Sequence, residues 1–281
     1  MLILPALQGY FQIIPENPLH GDFEEKPRPE LTEMAWLRGT YQEAMDPWIE
    51  QNIGFHSSLV RLHNQYEYSL FGITNAEGIV EGKNGQLYEY DYIRAWMGID
   101  FVGEMLLDRK LRQFRFLQQY LSDSCDIDLV LVLEPGKASV YPEDIPDEYS
   151  RGPEAITNYG FIRERTQQLG INLIDFNAWF LQIKDTAEYP LFPLQGTHWS
   201  EFAMWYAADS LIRYIEGTRG INMPEVIREG VEISTKLQST DYDVGRTLNL
   251  ICELPHGPMP YPQYSFGPDE GKQKPNVLAV A

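Results

Sequence analysis

The run Ile127-Asp128-Leu129-Val130-Leu131-Val132-Leu133 is almost entirely aliphatic and ends at the turn-forming residues Glu134-Pro135-Gly136-Lys137. A short aliphatic run of this kind is typical of a parallel strand that is buried on both faces. A shorter run, Ile171 to Phe176, has the same character, and each run follows a helix-like stretch, Phe101 to Leu121 in the first case. This alternation of helices and strands predicts an α/β fold built on an open, layered sheet.

The segment Gln195-Gly196-Thr197-His198-Trp199-Ser200 joins a proline-containing loop to an amphipathic helical run, Glu201 to Glu216. Ligands of open α/β sheets bind at the carboxyl ends of the strands, so we expect Lys137, Asp175 and the His198 loop to converge. A histidine at a loop-to-helix junction is held at a fixed angle, as a general base requires. The alternative is that His198 and Trp199 only cap the helix and fill the core.

The net charge of the protein argues against several partners. Its 281 residues include 22 basic and 41 acidic residues, a net charge of −19, and no basic cluster offsets this locally. Such a surface repels nucleic acid and anionic membranes. The 43% hydrophobic fraction, with 13% aromatic residues, is typical of a globular protein. A neutral substrate or a cationic partner surface remains compatible with this composition.

No motif predicts a metal or another cofactor. Cys125 and Cys252 form no metal-ligand pattern and are expected to be two separate, buried thiols; the alternative is a pair in an oxidising compartment. The scattered histidines make no H-E-x-x-H pattern. A G-x-S-x-G nucleophile motif is also absent, and the serine of Ala208-Asp209-Ser210 lies inside the predicted helix after His198.

The N-terminal part reads as an apolar stub, Met1 to Ile14, then an extended linker, Pro15 to Pro29, then a mostly helical stretch, Leu31 to Tyr68. Within that stretch Gly39 predicts a break. Asp46-Pro47 has the pattern of a helix start, because aspartate caps helices and proline fits their first turn.

The sequence also predicts the local structure of three further segments. Ile79 to Tyr88 predicts a hairpin, with a type I′ turn at Asn84-Gly85. The proline-rich segment Pro255 to Pro268 is expected to be irregular. Val277 to Ala281 has the composition of another buried strand, predicted to be central or poorly satisfied and to lie near His198.

Several motifs in this order resemble one family, the SGNH-hydrolase-like alginate O-acetyltransferases of the AlgJ and AlgX type, with the related DHHW-type envelope proteins. The resemblance covers residue 19 to the end. It is carried by Leu19-His20-Gly21, Gly39-Thr40-Tyr41, Glu50 to Phe55, Val80 to Leu87, Glu134 to Lys137, Tyr141-Pro142-Glu143 and, most strongly, Thr197-His198-Trp199.

The resemblance implies a flavodoxin-like, three-layer α/β/α domain whose strand order is circularly permuted, so that the histidine motif precedes the strand bearing the nucleophilic serine. Val277 to Ala281 would be that strand, with the serine just beyond it, so that the domain would be incomplete at its C-terminus. The implied organisation is an apolar stub and linker in residues 1–30, a remnant of a membrane anchor. Residues 31–281 would be an SGNH-hydrolase-like domain truncated before its nucleophile.

By the same resemblance, His198 is the catalytic base, and Thr197, Trp199, Lys137 and Tyr141 line the site. One departure is clear: the family's aspartate stands two residues before the histidine, where this sequence has Gly196. Either another acid takes its place, or the site works as a dyad, or the site is inactive. The candidate acids, which the sequence does not rank, are Asp185, Asp241 and Asp243.

The implied function is an O-acetyltransferase or O-acetylesterase that acts on an exopolysaccharide through a serine acyl-enzyme. The implied partners are the polysaccharide and a membrane-bound O-acyltransferase as acetyl donor, in the bacterial periplasm or cell envelope. The alternative is a non-catalytic carbohydrate-binding or assembly subunit. Its stacking residues would come from the aromatic segments Tyr88 to Trp96 and Tyr261 to Phe266.

Overall fold

The structure is a computed structural model that describes residues 3–21, 24–149, 152, 155–238 and 240–280. The protein forms two compact units. The first comprises Met1–Glu77 and Gly245–Leu254, and the second comprises Gly78–Val244 and Pro255–Ala281. The sequence analysis placed a boundary at residue 30, with an apolar stub and linker before it and a domain after it. That boundary stays a prediction.

Four helices lie entirely within the described residues of the first unit: α1 (Ile3–Phe11), α2 (Glu33–Arg38), α3 (Thr40–Asn52) and α4 (His56–Phe71). The break at Gly39 is confirmed, with a left-handed φ of 79° that favours glycine. The helix start at Asp46-Pro47 was wrong, because Pro47 lies inside α3, which begins at Thr40. Of the described helices, none combines the length and the apolar character that crossing a membrane requires.

The second unit carries the sheets and the remaining helices. Two 3₁₀ turns, Lys83–Gly85 and Pro142–Asp144, accompany them, and the last three residues of its helix α11 belong to the first unit. Its elements are β1 (Ile79–Glu81), β2 (Leu87–Glu89), α5 (Tyr90–Met97), α6 (Glu104–Cys125), β3 (Leu131–Leu133), α7 (Lys137–Val140), α8 (Asn158–Leu169), β4 (Leu173–Asp175), α9 (Phe176–Ile183), α10 (Glu201–Arg219), β5 (Val226–Ser234), α11 (Asp243–Thr247) and β6 (Met259–Phe266).

The two predicted parallel strands are confirmed, although both are shorter than predicted. β3 and β4 pair in parallel, with Leu131 opposite Leu173 and Leu133 opposite Asp175. Ile127 is about half exposed and lies before the strand, because the ladder extends only as far as the three residues of β4.

The prediction of a terminal strand from Val277 to Ala281 was wrong for the residues that the structure describes. Residues 277–280 form no strand, and Leu278 and Val280 are almost fully exposed, while Ala281 lies outside the described residues. Composition alone does not make a strand, because the backbone also needs a ladder partner, and none of the described strands pairs with this segment.

The predicted hairpin is confirmed, since β1 and β2 pair antiparallel. Its connection is longer than the two residues of a type I′ turn, because it runs from Gly82 to Gln86. Asn84 and Gly85 still supply the two positive φ angles, 56° and 76°.

The prediction that Pro255 to Pro268 is irregular was also wrong. The segment contains β6, which pairs antiparallel with β5. Pro260 and Pro262 lie two residues apart, so their nitrogens face the same side of the strand. Neither proline therefore has to interrupt the ladder, which is how strands at a sheet edge tolerate proline.

Candidate active site

His198 is paired with a carboxylate. Its Nδ1 lies 2.7 Å from Oδ2 of Asp243, and the histidine side chain is 57% exposed. An ionised carboxylate only accepts hydrogen bonds, so the proton of the neutral imidazole is on Nδ1. Nε2 then carries the free lone pair of a general base.

The residues after His198 fix its position. The Ser200 hydroxyl donates to the Pro190 carbonyl at 2.7 Å and accepts from the Ala203 amide, which caps α10. The Trp199 ring packs inward against Phe176 and Phe180, with ring centroids 5.9 and 5.3 Å away. Trp199 therefore belongs to the aromatic core beneath the loop, while the neighbouring His198 ring is directed outward.

Asp243 is held in place by backbone amides. Its Oδ1 accepts hydrogen bonds from the amides of Thr197, at 3.0 Å, and Val244, at 2.7 Å. The other two candidate acids are placed elsewhere: Asp241 is buried and accepts from the Tyr261 hydroxyl, and Asp185 is exposed.

Gly196 has no space for a side chain. A Cβ at this position would lie 2.4 Å from the Thr240 carbonyl oxygen and 2.6 Å from Cγ of Pro193. The family's aspartate cannot be accommodated here without moving backbone. The segment that fills its place leads, three residues after Thr240, to the aspartate that contacts His198.

Lys137 supports the loop from inside. It is 1% exposed, and its Nζ lies 2.7 to 3.0 Å from the carbonyl oxygens of Leu87, Pro193, Leu194 and Gly196. Burial lowers the pKa of Lys137 to about 7, although the negative charges of Asp243 and Asp144 act to raise it. Lys137 and the His198 loop do converge, but the ammonium group is used by the loop's carbonyls. Asp175 was expected to join them, but its carboxylate instead caps α9 and contacts Tyr159 and Arg163.

Tyr141 lies against a different part of the loop. Its hydroxyl accepts from the Leu191 amide at 3.4 Å, and its ring packs edge-on against Phe192. Burial raises its pKa. Tyr141 lines a cavity of about 570 Å³ that also borders Gln195, whereas His198 is not among the residues that line it.

The sequence analysis did not single out Glu89 and Tyr92, two residues next to Thr197. The Thr197 hydroxyl donates to Oε2 of Glu89 at 3.1 Å, and the nearby Thr197 side chain acts to lower the pKa of the Tyr92 phenol. Burial raises the pKa of Tyr92, and the charges of Glu89, Glu134 and Asp243 add to this. The aromatic density of Tyr88 to Trp96 pointed to this region, but no sequence signal singled out Glu89.

The described residues contain no group of His, Cys, Asp or Glu side chains that could hold a metal ion. The expectation that Cys125 and Cys252 are buried was wrong, because both are exposed, and they form no disulfide. Within the described ranges, no serine hydroxyl is hydrogen-bonded to Nε2 of His198. The arrangement can therefore accept a proton at Nε2 and stabilise the resulting imidazolium through Asp243.

This protein is similar to several solved structures, three of which are described here. The O-acetyltransferase domain of Pseudomonas putida AlgJ is 18% identical, with 67% of this sequence and 65% of that domain covered and a TM-score of 0.45. Pseudomonas aeruginosa AlgX is 18% identical, with 68% and 43% covered and a TM-score of 0.44. Bacillus cereus PatB1 is 10% identical, with 69% and 59% covered and a TM-score of 0.36.

The match thus spans less than two thirds of the length of each of these proteins. Among curated protein sequences, none matches. A family model described as the SGNH hydrolase-like domain of acetyltransferase AlgX matches residues 79–276. This match extends over most of the sequence and confirms the predicted SGNH-hydrolase-like fold, and the chain belongs to the AlgX family of SGNH-hydrolase-like acetyltransferase domains.

Proposed function

We propose that this protein transfers acetyl groups to, or removes them from, hydroxyl groups of an exopolysaccharide, with His198 as general base. Membership of the AlgX family supports the reaction class. The single observation that carries the assignment of the base is the 2.7 Å contact between Nδ1 of His198 and Asp243.

The proposed chemistry has two steps. Nε2 of His198 takes the proton of a serine hydroxyl as its oxygen attacks the acetyl carbonyl, and the imidazolium then protonates the departing alcohol. Asp243 stabilises the imidazolium during both transfers. In the second step His198 takes the proton of the acceptor, a sugar hydroxyl for a transferase or water for an esterase, as the acceptor oxygen attacks the acetyl carbonyl of the acyl-serine. The bond to the serine oxygen then breaks, and the imidazolium returns the proton to that oxygen. The serine is an expectation from the family.

The proposed setting is the bacterial envelope. The substrate is a polysaccharide, and a membrane-bound O-acyltransferase is the proposed source of acetyl groups. Fractionation of cells that express the native gene tests the location directly. Recovery of the protein only from the cytoplasm would remove the support for an exopolysaccharide substrate.

The test compares initial rates of p-nitrophenyl acetate hydrolysis. We expect His198→Ala and Asp243→Asn each to lower kcat by about 10²- to 10⁴-fold, because base catalysis and its orientation are worth roughly that much. Asp185→Asn is the matched control, since Asp185 is an exposed aspartate of the same unit, and its rate should not change. Undiminished turnover in His198→Ala would remove His198 from the mechanism.

The second candidate is a non-catalytic carbohydrate-binding or assembly subunit. It is favoured by the observation that no serine in the described part of the protein is bonded to Nε2 of His198. A fluorophosphonate probe separates the two candidates, because it reacts only with an activated nucleophile. Covalent labelling that disappears in His198→Ala supports the enzyme, whereas an unlabelled protein that binds glycans supports the binding subunit.

A further inference from the structure

The ammonium group of Lys137 joins two segments of the second unit. Nζ lies 2.9 Å from the carbonyl oxygen of Leu87 on β2, and 2.7 to 3.0 Å from three carbonyl oxygens of one loop, those of Pro193, Leu194 and Gly196. An ammonium group has three N–H donors, so at least one of them is shared between two carbonyls. The proposed reaction gives this buried group no part.

The peptide group between Gly196 and Thr197 is held at both ends. Its carbonyl oxygen accepts from Lys137 at 3.0 Å, and its N–H donates to Oδ1 of Asp243, also at 3.0 Å. A peptide group is planar, so fixing its oxygen fixes the direction of its N–H. The second oxygen of the same carboxylate, Oδ2, lies 2.7 Å from Nδ1 of His198. Lys137 is therefore linked to the histidine through one rigid peptide group and one carboxylate.

Removal of the ammonium group should loosen this peptide group without detaching the loop. The Leu194 carbonyl also accepts from the Leu87 amide at 2.8 Å, a backbone bond that does not involve Lys137. The Gly196 oxygen, in contrast, would lose the donor that orients it. The side chain of Lys137 is 1% exposed, so solvent does not stand ready to replace that donor.

The titratable groups around Lys137 come from four neighbouring elements. The Tyr88 ring of β2 lies 5.4 Å from Nζ, and the Tyr92 ring of α5 lies against the backbone just before Lys137. Asp144, in the second 3₁₀ turn, and Asp243, at the start of α11, both favour the charged form of Lys137. Neither α9 nor the bonded stretch of the loop carries a titratable side chain.

Loss of a proton from Lys137 should loosen the peptide group in the same way. Burial lowers the pKa of Lys137 to about 7 in the folded protein. A neutral amine has two N–H donors instead of three, and its lone pair repels a carbonyl oxygen. The ammonium form is therefore the one that holds the loop.

We propose that Lys137 is a positioning residue for the Asp243–His198 pair. Its ammonium group orients the peptide group after Gly196, and that peptide group holds the carboxylate that bonds to the histidine. The inference rests on the proposed function and adds a residue to its mechanism. A misplacement of about 1 Å typically costs on the order of 10²-fold in rate. Lys137→Met should therefore lower kcat for p-nitrophenyl acetate about 10²-fold with little change in KM, since the buried ammonium does not contact the ester.

The first test reads the tautomer of His198 by long-range ¹H–¹⁵N correlation NMR. In the wild type, with the imidazole neutral, the proton should lie on Nδ1, because Nδ1 bonds to Asp243. Lys137→Met keeps the length of the side chain but not its charge, and it should move the proton toward Nε2. Lys184→Met is the matched control, since Lys184 is also largely buried but bonds to a glutamate and a carbonyl outside the loop. It should keep the wild-type tautomer, and its kcat per folded molecule should not change.

The second test uses the wild type alone, so it stands even where Lys137→Met does not fold. The ¹³Cε shift of Lys137 reports whether Nζ carries its third proton. As the pH rises through the pKa of Lys137, kcat and the share of the Nδ1 tautomer should fall with the same midpoint. A constant kcat while Lys137 loses its proton would overturn the proposal.

A folded Lys137→Met protein with the wild-type tautomer and kcat would also overturn it, because lost packing alone lowers stability and leaves both readouts unchanged. A shifted tautomer and a lowered kcat in Lys137→Met, with neither in Lys184→Met, would support it. The tautomer is read without substrate. It therefore still tests the position of His198 if the wild type does not hydrolyse the ester, which is the result that would contradict the proposed function instead.

Discussion

Replacing Gly196 with aspartate restores the carboxylate position of the family, yet we expect it to damage the protein. The Cβ would lie 2.4 Å from the Thr240 carbonyl oxygen, where ordinary contact begins at 3.4 Å. The obstacle is backbone, which cannot rotate aside as a flexible side chain can. The Gly196 carbonyl is also held by Lys137 at 3.0 Å, which opposes movement of the loop in the other direction.

The size of the effect follows from this geometry. Separating the two backbone segments to ordinary contact requires a displacement of about 1 Å, the difference between the two distances. Overpacking of this kind costs about 1–3 kcal/mol of stability. Thr197 and His198 follow directly in the sequence and both bond to Asp243, so the displacement separates His198 from its acid. A misplacement of about 1 Å typically costs on the order of 10²-fold in rate.

The assay measures p-nitrophenyl acetate hydrolysis and urea denaturation of Gly196→Asp and Gly196→Ala. Both variants should be less stable, and both should lose activity per folded molecule. Gly217→Ala is the matched control, because its Cβ would meet nothing within 4 Å inside α10 and should stabilise by about 0.5–1 kcal/mol. A Gly196→Asp protein as stable and as active as the wild type would refute the reasoning.

Two further predictions concern buried groups. Burial lowers the pKa of Lys137 from 10.5 to about 7 in the folded protein. Between these two pH values the unfolded protein binds a proton on Lys137 that the folded protein does not bind. The free energy of unfolding therefore rises with pH in this window, by up to about 1.4 kcal/mol per pH unit. Urea denaturation of the wild type relative to Lys137→Met should show this rise, and a flat difference would contradict it. Tyr261→Phe removes the donor to the buried carboxylate of Asp241 and should cost about 1–3 kcal/mol while the rate per folded molecule is unchanged; a stability equal to the wild type would count against that bond.

Sequence reasoning located the parallel strands because aliphatic runs bounded by turn residues depend on local composition. It overestimated their length, since the end of a strand depends on its partner: β3 begins at Leu131 because β4 begins at Leu173. The same limit explains the error at residues 277–280, where an apolar run has no ladder partner among the described strands. β6 was missed for the opposite reason, because the pairing with β5 overrides the high proline content of the segment.

For the candidate site, the segment Thr197-His198-Trp199 directed the sequence analysis to His198, which stays a predicted base. The sequence could not rank the three candidate aspartates, of which the structure places Asp243 against His198. The choice depends on where α11 begins, and α11 lies 45 residues further along the sequence. The role of Lys137 was equally hidden, because a lysine after a strand looks the same in sequence whether it faces a ligand or four backbone carbonyls.

The absence of the family's aspartate is therefore weak evidence that the histidine is unassisted. What a base needs is a hydrogen-bond acceptor at Nδ1 that is held at a fixed angle, and a triad is recognised by that geometry rather than by sequence position. Asp243 meets this requirement through Nδ1 of His198 and the amides of Thr197 and Val244. The Thr197 amide ties the acid to the histidine's own loop, so the pair moves as one element. Gly196 permits this arrangement, because its missing side chain leaves room for the backbone that leads to Asp243.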